Sequence, residues 1–284
     1  MPDGSRRDPS VEEGFTHVDA QPDASFLVAT MDATAQWPAV RRLRAWERSR
    51  LAPVAGDRVL DVGCGLGEVA IALSADVGVD GHVLGFDASE AFLTVARERA
   101  ASVGAATEFR TGDALALDIE DGSVDVCRSE RMLQWLPDID DAVAEMVRVL
   151  RPGGRLCITD TDWRTLTLDL PDLALVAAVN RALYEFRGPS CAAGSRLLNI
   201  ARDLELTDLE CRGDMHVWTH WDPDNEDGRM GFFPLDSTIG QLAEHGFLDV
   251  EIARNFVDQA YAAARADRYY MSLTMTAVFG RRSS

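Results

Sequence analysis

Three glycines stand at every second position in the stretch VLDVGCGLGEVAIAL, which spans residues 59–73. Gly63, Gly65 and Gly67 lie between an apolar run that contains Asp61 and an apolar segment with helical spacing. A strand that enters a helix through glycines turns backbone N–H groups and the positive end of the helix dipole towards a ligand, with no Cβ atoms in the way. The stretch therefore predicts a ligand cradle, although a tight turn without a ligand remains the alternative.

Acidic residues end the next two predicted strands. Asp87 ends HVLGFD about 20 residues beyond Gly67, where an acid can accept both hydroxyl groups of a ribose. Asp113 follows the next strand in RTGDA. Because the carboxyl ends of parallel strands share one edge of a sheet, the glycines and the two acids predict one elongated ligand with a ribose and an amino-bearing base.

The elements that must position these residues follow a regular order. Short apolar strands alternate with helices as far as about residue 163, which predicts a mostly parallel sheet covered on both faces. We expect a polar, disordered tail over 1–14, a helical cap over 15–51 and one main domain over 52–284. The second cap helix is predicted from Pro38 to Leu51, and later helices are predicted near 171–187, 193–204, 236–246 and 255–267, before a last strand over 268–282.

Composition narrows the possible partners. The formal net charge of −19 argues against a nucleic-acid ligand, since phosphate binding depends on clustered Lys and Arg. The five cysteines show no CxxC spacing, which argues against a zinc site or a disulfide framework. No apolar run approaches the roughly 20 residues of a membrane span, and the first residues do not have the pattern of a signal peptide. We therefore expect a cytoplasmic protein with no metal and no membrane partner.

Four motifs occur in order between residues 37 and 160: VLDVGCGLG, VLGFDAS, TGDAL and EMVRVLRPGGRL. With them the chain resembles the class I S-adenosylmethionine-dependent methyltransferases, close to the branch of ubiquinone/menaquinone-type and actinobacterial small-molecule enzymes. The resemblance implies an α/β, Rossmann-like, doubly wound sheet of seven mostly parallel strands with an antiparallel last strand. It also implies a helical insertion at about 164–206 after strand five, S-adenosyl-L-methionine as cofactor and a small-molecule substrate as partner.

The resemblance assigns roles position by position. The backbone of Gly63 to Gly67 would hold the methionine moiety, Asp87 the ribose, and Asp113 with the Ala114 N–H the adenine. Separately from the resemblance, Arg44 is expected to face the loop from the cap helix and to pair with the cofactor carboxylate, with a surface arginine as the alternative. The expected cofactor-binding set is Arg44, Asp61, Gly63, Gly65, Gly67, Asp87, Ala88, Ser89, Gly112, Asp113, Ala114, Ser129 and Gln134.

A dinucleotide-binding oxidoreductase fits the same stretch less well. Its third glycine should come three positions after the second, whereas here Gly67 comes two positions after Gly65. The next residue is Glu68, which would repel a pyrophosphate but is tolerable beside a sulfonium cofactor. The spacing therefore favours a methyltransferase.

Methyl transfer from a sulfonium is a direct displacement that depends on positioning, and a general base helps only some acceptors. Strand tips and covering segments supply Asp160, Asp162 and His17 as catalytic candidates, with Glu130, His216 and His220 as further possible bases. Asp160 and Asp162 would point the same way from one extended segment, TDTDW. Helix capping or solvent exposure is the alternative reading of these acids.

Aromatic residues outside the cofactor motifs predict an apolar acceptor site. The stretch SERMLQWLPD resembles the LQW stretch of trans-aconitate and malonyl-carrier-protein methyltransferases, with Trp135 where many relatives carry His. Small residues after Asp87 would also loosen the adenine contact. The expected acceptor-binding residues are Phe15, Trp135, Trp163 and Tyr184.

The sequence thus predicts methyl transfer to a small, largely apolar metabolite of secondary or specialised metabolism. An enzyme that couples C-methylation to rearrangement or cyclisation is one alternative, and a non-catalytic cofactor-binding subunit is another. The sequence leaves open the acceptor atom, the metabolite and whether the protein forms a homo-oligomer.

Overall fold

A computed structural model describes residues 15, 17–21, 23–222 and 235–284, so the tail expected over 1–14 lies outside the described residues. The helices described are α1 (Ser25–Ala35), α2 (Pro38–Leu51), α3 (Glu68–Val77), α4 (Glu90–Val103), α5 (Ile139–Val149), α6 (Leu173–Arg187), α7 (Ala193–Asp203), α8 (Leu235–Glu244) and α9 (Val250–Arg265). The strands are β1 (Arg58–Val62), β2 (His82–Asp87), β3 (Thr107–Thr111), β4 (Val124–Glu130), β5 (Leu150–Leu168), β6 (Thr207–Trp218) and β7 (Met271–Arg281).

The strands form one seven-stranded sheet in the order β3-β2-β1-β4-β5-β7-β6. Strands β3, β2, β1, β4 and β5 pair in parallel, so their carboxyl ends lie along one edge. Strand β7 is antiparallel to β5. The Gly153 N–H, near the start of β5, donates to the Arg282 carbonyl, whereas the Asp169 N–H, after its end, donates to the Tyr270 carbonyl. The predicted Rossmann-like sheet with an antiparallel last strand is confirmed.

Two apolar clusters cover the two faces of the parallel strands. Alternate residues of β1 belong to different clusters: Val59 packs with α3 and α4, whereas Leu60 and Val62 pack with α5 and α7. This alternation follows from the two-residue period of a strand, and it explains why the consecutive residues Val59 and Leu60 are both apolar. The sheet edge that carries the glycine loop is thereby held from both sides.

Short polar caps set where several helices begin. The Ser89 hydroxyl accepts from the Phe92 N–H at the start of α4, and Asp138 and Asp249 cap α5 and α9 in the same way. Helix α2 begins at Trp37–Pro38, as the sequence predicts, since proline is favoured in a first helical turn.

The chain divides into two compact units, each built from three separated segments. The described residues of one unit fall within 1–34, 167–188 and 217–271, and its helices α6, α8 and α9 pack together. The other comprises 35–166, 189–216 and 272–284 and contains α2 and the parallel strands. The consecutive domain boundaries at residues 15 and 52 stay a prediction.

Across the described residues, the helices include none with the length and apolar character that a membrane span requires.

Candidate functional site

The loop between β1 and α3 has a backbone that favours glycine. Gly63, Gly65 and Gly67 have φ values of 72°, 50° and 74°, in the left-handed region. A Cβ atom on Gly63 would lie 2.7 Å from the Met132 side chain, and one on Gly67 would lie 2.7 Å from the Phe109 ring. The loop therefore needs glycine for its conformation at all three positions and for space at two of them.

Strand β2 supports this loop through its last two residues. The N–H groups of Gly63 and Cys64 donate to the Phe86 carbonyl, and the Gly65 N–H donates to Asp87 Oδ2 at 2.8 Å. Asp87 Oδ1 accepts from the Ser89 N–H at 2.9 Å. Burial raises the pKa of Asp87, against these backbone donors, which lower it. Each oxygen retains acceptor capacity, so Asp87 can also accept hydroxyl groups from a ligand.

The next strand tip carries Asp113 on an exposed turn. Its Oδ1 accepts from the Leu115 N–H at 2.9 Å, and the neighbouring Ala114 is buried. A Cβ atom on Gly112 would lie 2.1 Å from the Phe86 ring, so glycine lets this turn approach β2 closely. The predicted acids Asp87 and Asp113 thus follow adjacent strands at the carboxyl edge of the sheet.

A buried charge cluster lies beneath the loop. Arg128, in β4, is 2% exposed and donates to Glu47 of α2, to Asp61 of β1 at 2.7 Å and to Glu130 at 3.2 Å. Arg44 donates to Glu130 at 2.7 and 3.0 Å and to Glu68 at 2.7 Å. Helix α2 is therefore tied to β1, β4 and the first turn of α3 by ion pairs.

The cluster shifts the pKa values of its acids in opposite directions. Burial raises the pKa of Asp61, although Arg128 lowers it. Burial also opposes the charge of Glu130, but Arg44, Arg131 and Arg128 hold its pKa well below the usual range. Glu130 is therefore a poor base. The cofactor contact predicted for Arg44 stays a prediction, since its guanidinium already binds the two carboxylates of Glu130 and Glu68.

Two predicted cofactor residues keep unused polar atoms. Asp61 Oδ2 and the Ser129 hydroxyl are buried and have no hydrogen-bond partner among the described residues. Unpartnered buried acceptors are costly, and a ligand that donates to them would relieve that cost.

The segment 131–136 crosses the site and is fixed by β5. Asp160 Oδ2 accepts from the Leu133 N–H at 2.8 Å and from the Gln134 N–H at 3.4 Å, and its Oδ1 accepts from the Thr161 N–H at 2.7 Å. The Trp163 indole N–H donates to Gln134 Oε1 at 2.6 Å. The structure therefore brings the predicted residues Gln134, Asp160 and Trp163 together. Gln134 forms hydrogen bonds with both of the others.

The two predicted acids of TDTDW have different surroundings. Asp160 is 0% exposed, and burial raises its pKa to about 7 against the backbone donors that lower it. Asp162 is bonded to Arg164 at 2.8 Å; burial raises its pKa, but Arg164 and Ser195 outweigh burial and lower it. Asp160 has a pKa that suits a base, but it has no solvent-exposed surface. Asp162 is kept ionised by Arg164.

The remaining predicted site residues are distributed over the two units. Trp135 is half-buried in the segment 131–136, in the unit that carries the glycine loop. Phe15, His17 and Tyr184 belong to the other unit, and their catalytic or acceptor roles stay predictions. Ala88 is exposed beside Asp87.

Sequence reasoning missed the buried ion pairs. The available signal was Arg128 inside the apolar strand VDVCRSE, since a charge in a strand buried on both faces needs partners. Nothing in the sequence named Glu47 as that partner, because the contact spans 81 positions.

Comparison with known proteins places the similarity in this part of the chain. Residues 60–158 match a family described as "Methyltransferase domain". A Streptomyces fradiae protein described as an uncharacterized 37.1 kDa protein in transposon TN4556 is 36% identical over 176 residues, 62% of this chain and 51% of that protein. The 2-phytyl-1,4-naphtoquinone methyltransferase of Synechococcus elongatus is 40% identical over 122 residues, 41% of this chain and 52% of that enzyme.

The chain spans about half the length of these curated relatives. Among solved structures, the YcgJ protein of Bacillus subtilis superposes with a TM-score of 0.60 at 20% identity, covering 86% of this chain and 99% of that one. At that identity the likeness concerns the fold.

Proposed function

We propose that this chain, a member of the class I S-adenosylmethionine-dependent methyltransferases, transfers a methyl group from S-adenosyl-L-methionine to a small, largely apolar metabolite by direct displacement. The observation that carries the proposal is the left-handed glycine loop beside Asp87 at the carboxyl edge of five parallel strands. In open α/β sheets, ligands bind beyond the carboxyl ends of the strands, where this glycine loop lies.

The residues present fit the cofactor. The loop from Gly63 to Gly67 would hold its amino-acid end, Asp87 its ribose, and Asp113 with the Ala114 N–H its adenine. The unpartnered Asp61 Oδ2 supplies a buried anionic acceptor close to this loop, as the cationic ammonium group of the cofactor requires. Bound there, the cofactor supplies an electrophilic methyl group on a positively charged sulfur.

The chain's own residues would act mainly by positioning. Holding two reactants in line is worth up to roughly 7–11 kcal/mol in intramolecular models, so a strong base is not required. Asp160, fully buried, would position the segment 131–136. Asp162, whose pKa Arg164 lowers, is the candidate that orients an acceptor, and His17 is a second catalytic candidate.

The acceptor is proposed by class only. The naphthoquinone in the name of the Synechococcus enzyme belongs to a relative that matches 41% of this chain, so its substrate is not carried over. The half-buried Trp135 and the buried Trp163 favour an apolar acceptor of specialised metabolism.

The test is calorimetric titration with S-adenosylhomocysteine. We expect Asp87→Ala to weaken binding at least tenfold, because the variant removes both ribose acceptors and the support of the Gly65 N–H. Asp125→Asn is the matched control, since Asp125 lies at the opposite end of β4 and binds the Arg58 N–H.

Equal affinity in wild type and Asp87→Ala would remove Asp87 from the cofactor site. Turnover is then followed as S-adenosylhomocysteine released with candidate acceptors. Tight cofactor binding without transfer to any acceptor would favour the non-catalytic subunit, and a rearranged product would favour the coupled cyclisation.

A further inference from the structure

Arg131 is held in an unusual backbone conformation directly after β4. Its φ is 55°, a left-handed conformation that is unfavourable for a residue other than glycine. Two hydrogen bonds fix this conformation. Its N–H donates to the Thr159 carbonyl at 2.8 Å, and its carbonyl accepts from Gln134 Nε2 at 3.0 Å. Strain of this kind persists where the surroundings fix a residue, and it is commonest at functional sites.

The position of Arg131 is at the proposed methyl-transfer end of the site. The next residue, Met132, contacts Gly63 closely enough that a Cβ atom there would lie 2.7 Å from the Met132 side chain. Arg131 therefore lies next to the residue whose side chain packs against the glycine loop.

The guanidinium of Arg131 differs from those of its two neighbours. Arg44 and Arg128 each use all three side-chain nitrogen atoms on carboxylates. Arg131 donates only from Nε, to Glu130 Oε1 at 3.1 Å, and its two terminal nitrogen atoms have no acceptor among the described residues. Its side chain is 19% exposed, so this open fork is largely removed from water.

Such a group is built to receive an oxyanion. The two terminal nitrogen atoms of a guanidinium form parallel hydrogen bonds with the two oxygens of a carboxylate, and removal from water strengthens that pairing. Burial lowers the pKa of Arg131 and Glu130 raises it, but an arginine stays protonated at any physiological pH. Two carboxylates act on Arg131: Glu130 bonds Nε, and Asp160 attracts the guanidinium without a hydrogen bond to it, because its oxygens accept from backbone N–H groups. Neither one occupies the two terminal nitrogen atoms.

We propose that the terminal nitrogen atoms of Arg131 bind a carboxylate-type oxyanion at the methyl-transfer end of the site. The inference deepens the proposed function, because two sources of this anion exist there. One is the carboxylate of the cofactor's amino-acid end, in place of the contact expected from Arg44. The other is an ionised group of the acceptor, which would make the acceptor an apolar molecule with one acidic group.

The first experiment uses the free wild-type protein and sodium formate as the probe, with sodium chloride at equal ionic strength as the reference. The Nε–H resonances of Arg131 and Arg44 are followed by NMR. We expect a saturable formate shift for Arg131 and none for Arg44, whose donors are occupied. The titration is repeated with saturating S-adenosylhomocysteine and with its decarboxylated analogue.

The second experiment measures the affinity for the same two nucleosides in Arg131→Met and Arg131→Lys, with Arg151→Met as the control on an exposed ion pair. If the anion is the cofactor's carboxylate, S-adenosylhomocysteine but not its decarboxylated analogue displaces formate, and Arg131→Met weakens only S-adenosylhomocysteine, at least tenfold. If the anion belongs to the acceptor, formate still binds to the S-adenosylhomocysteine complex, and both variants bind this nucleoside as wild type does.

Absence of a saturable Arg131 shift with formate in both the free and the complexed wild-type protein would overturn the inference. The wild-type measurement decides the matter even if a variant fails to fold. Failure of the proposed function shows itself separately, as no binding of either nucleoside by wild-type protein, and leaves the formate result on the free protein standing.

Discussion

At the scale of single residues, the site is defined by which polar groups are already satisfied within the protein. Asp160 binds three backbone N–H groups and has no exposed surface, whereas Asp61 and Ser129 keep buried atoms without a partner. The oxygens of Asp160 therefore already support the backbone, and its catalytic role stays a prediction, whereas the unpartnered atoms of Asp61 and Ser129 can accept from a ligand. Residue type alone does not separate these cases, because both acids end apolar runs in the sequence.

Asp160 makes stability depend on pH. Its pKa is about 7 in the folded protein and about 3.9 in an unfolded chain, so the folded state binds more protons between these values. Stability therefore falls as pH rises through this window, by up to about 1.4 kcal/mol per pH unit. We expect Asp160→Asn to lack this slope, so that it gains stability relative to wild type from pH 4 to pH 7.

Urea unfolding at intervals of half a pH unit measures this difference. Asp125→Asn provides a control of opposite sign: burial raises the pKa of Asp125, but Arg151 and the Arg58 N–H outweigh burial and lower it, so its contribution is lost as pH falls. Parallel curves for wild type and Asp160→Asn would show that Asp160 does not titrate in this range.

The residue-scale predictions from sequence were limited by distance along the chain. Gly63, Gly65, Gly67 and Asp87 were predictable because their spacing relative to predicted strands carries the signal. The bond between Trp163 and Gln134 joins residues 29 positions apart, and the bond from the Leu133 N–H to Asp160 joins residues 27 positions apart. No local pattern encodes such a partner.

At the scale of elements, the errors at strand and helix ends have physical causes. The stretch GRLCITDTD predicts a strand over 154–162, whereas β5 runs from Leu150 to Leu168. At its start, the Gly153 N–H and the Gly154 carbonyl pair with Arg282 and keep RPGG extended. Helix α9 was expected from residue 255 but begins at Val250, because Asp249 accepts from two N–H groups of its first turn. Pairing with a distant strand was invisible in sequence, whereas the Asp cap was a signal that could have been used.

The junction of the glycine loop with α3 can be tested against another helix end. Gly67→Ala adds a Cβ atom 2.7 Å from the Phe109 ring at a φ of 74°. Gly104→Ala, at the end of α4, has a similar φ of 68° but no atom within 4 Å of the new Cβ. Gly104→Ala should cost about 1–2 kcal/mol for backbone strain, and Gly67→Ala about 1–3 kcal/mol more for overpacking.

Free energies of unfolding in urea give both values, and their difference isolates the packing contribution. Equal losses in the two variants would mean that Phe109 moves aside without cost, and that Gly67 is needed for its backbone conformation only.

At the scale of the whole molecule, the excess of 47 acidic over 28 basic residues sets the response to salt. Repulsion among exposed like charges destabilises a compact chain, and the screening length falls from about 30 Å at 10 mM salt to about 10 Å at 100 mM. Exposed ion pairs such as Arg97 with Glu90 weaken over the same range, but each is worth at most about 1 kcal/mol. The buried pairs of Arg128 are screened much less, so the net repulsion determines the sign.

We therefore expect the midpoint of thermal unfolding to rise as sodium chloride is increased from 10 to about 100 mM at pH 7.5, within the range where screening changes most. The same series at a pH close to the isoelectric point is the control, because the net charge that salt screens is then almost absent. A rise of equal size at both pH values would assign the effect to salt exclusion from the protein surface, and a fall at pH 7.5 would mean that exposed ion pairs outweigh the repulsion of the surplus acids.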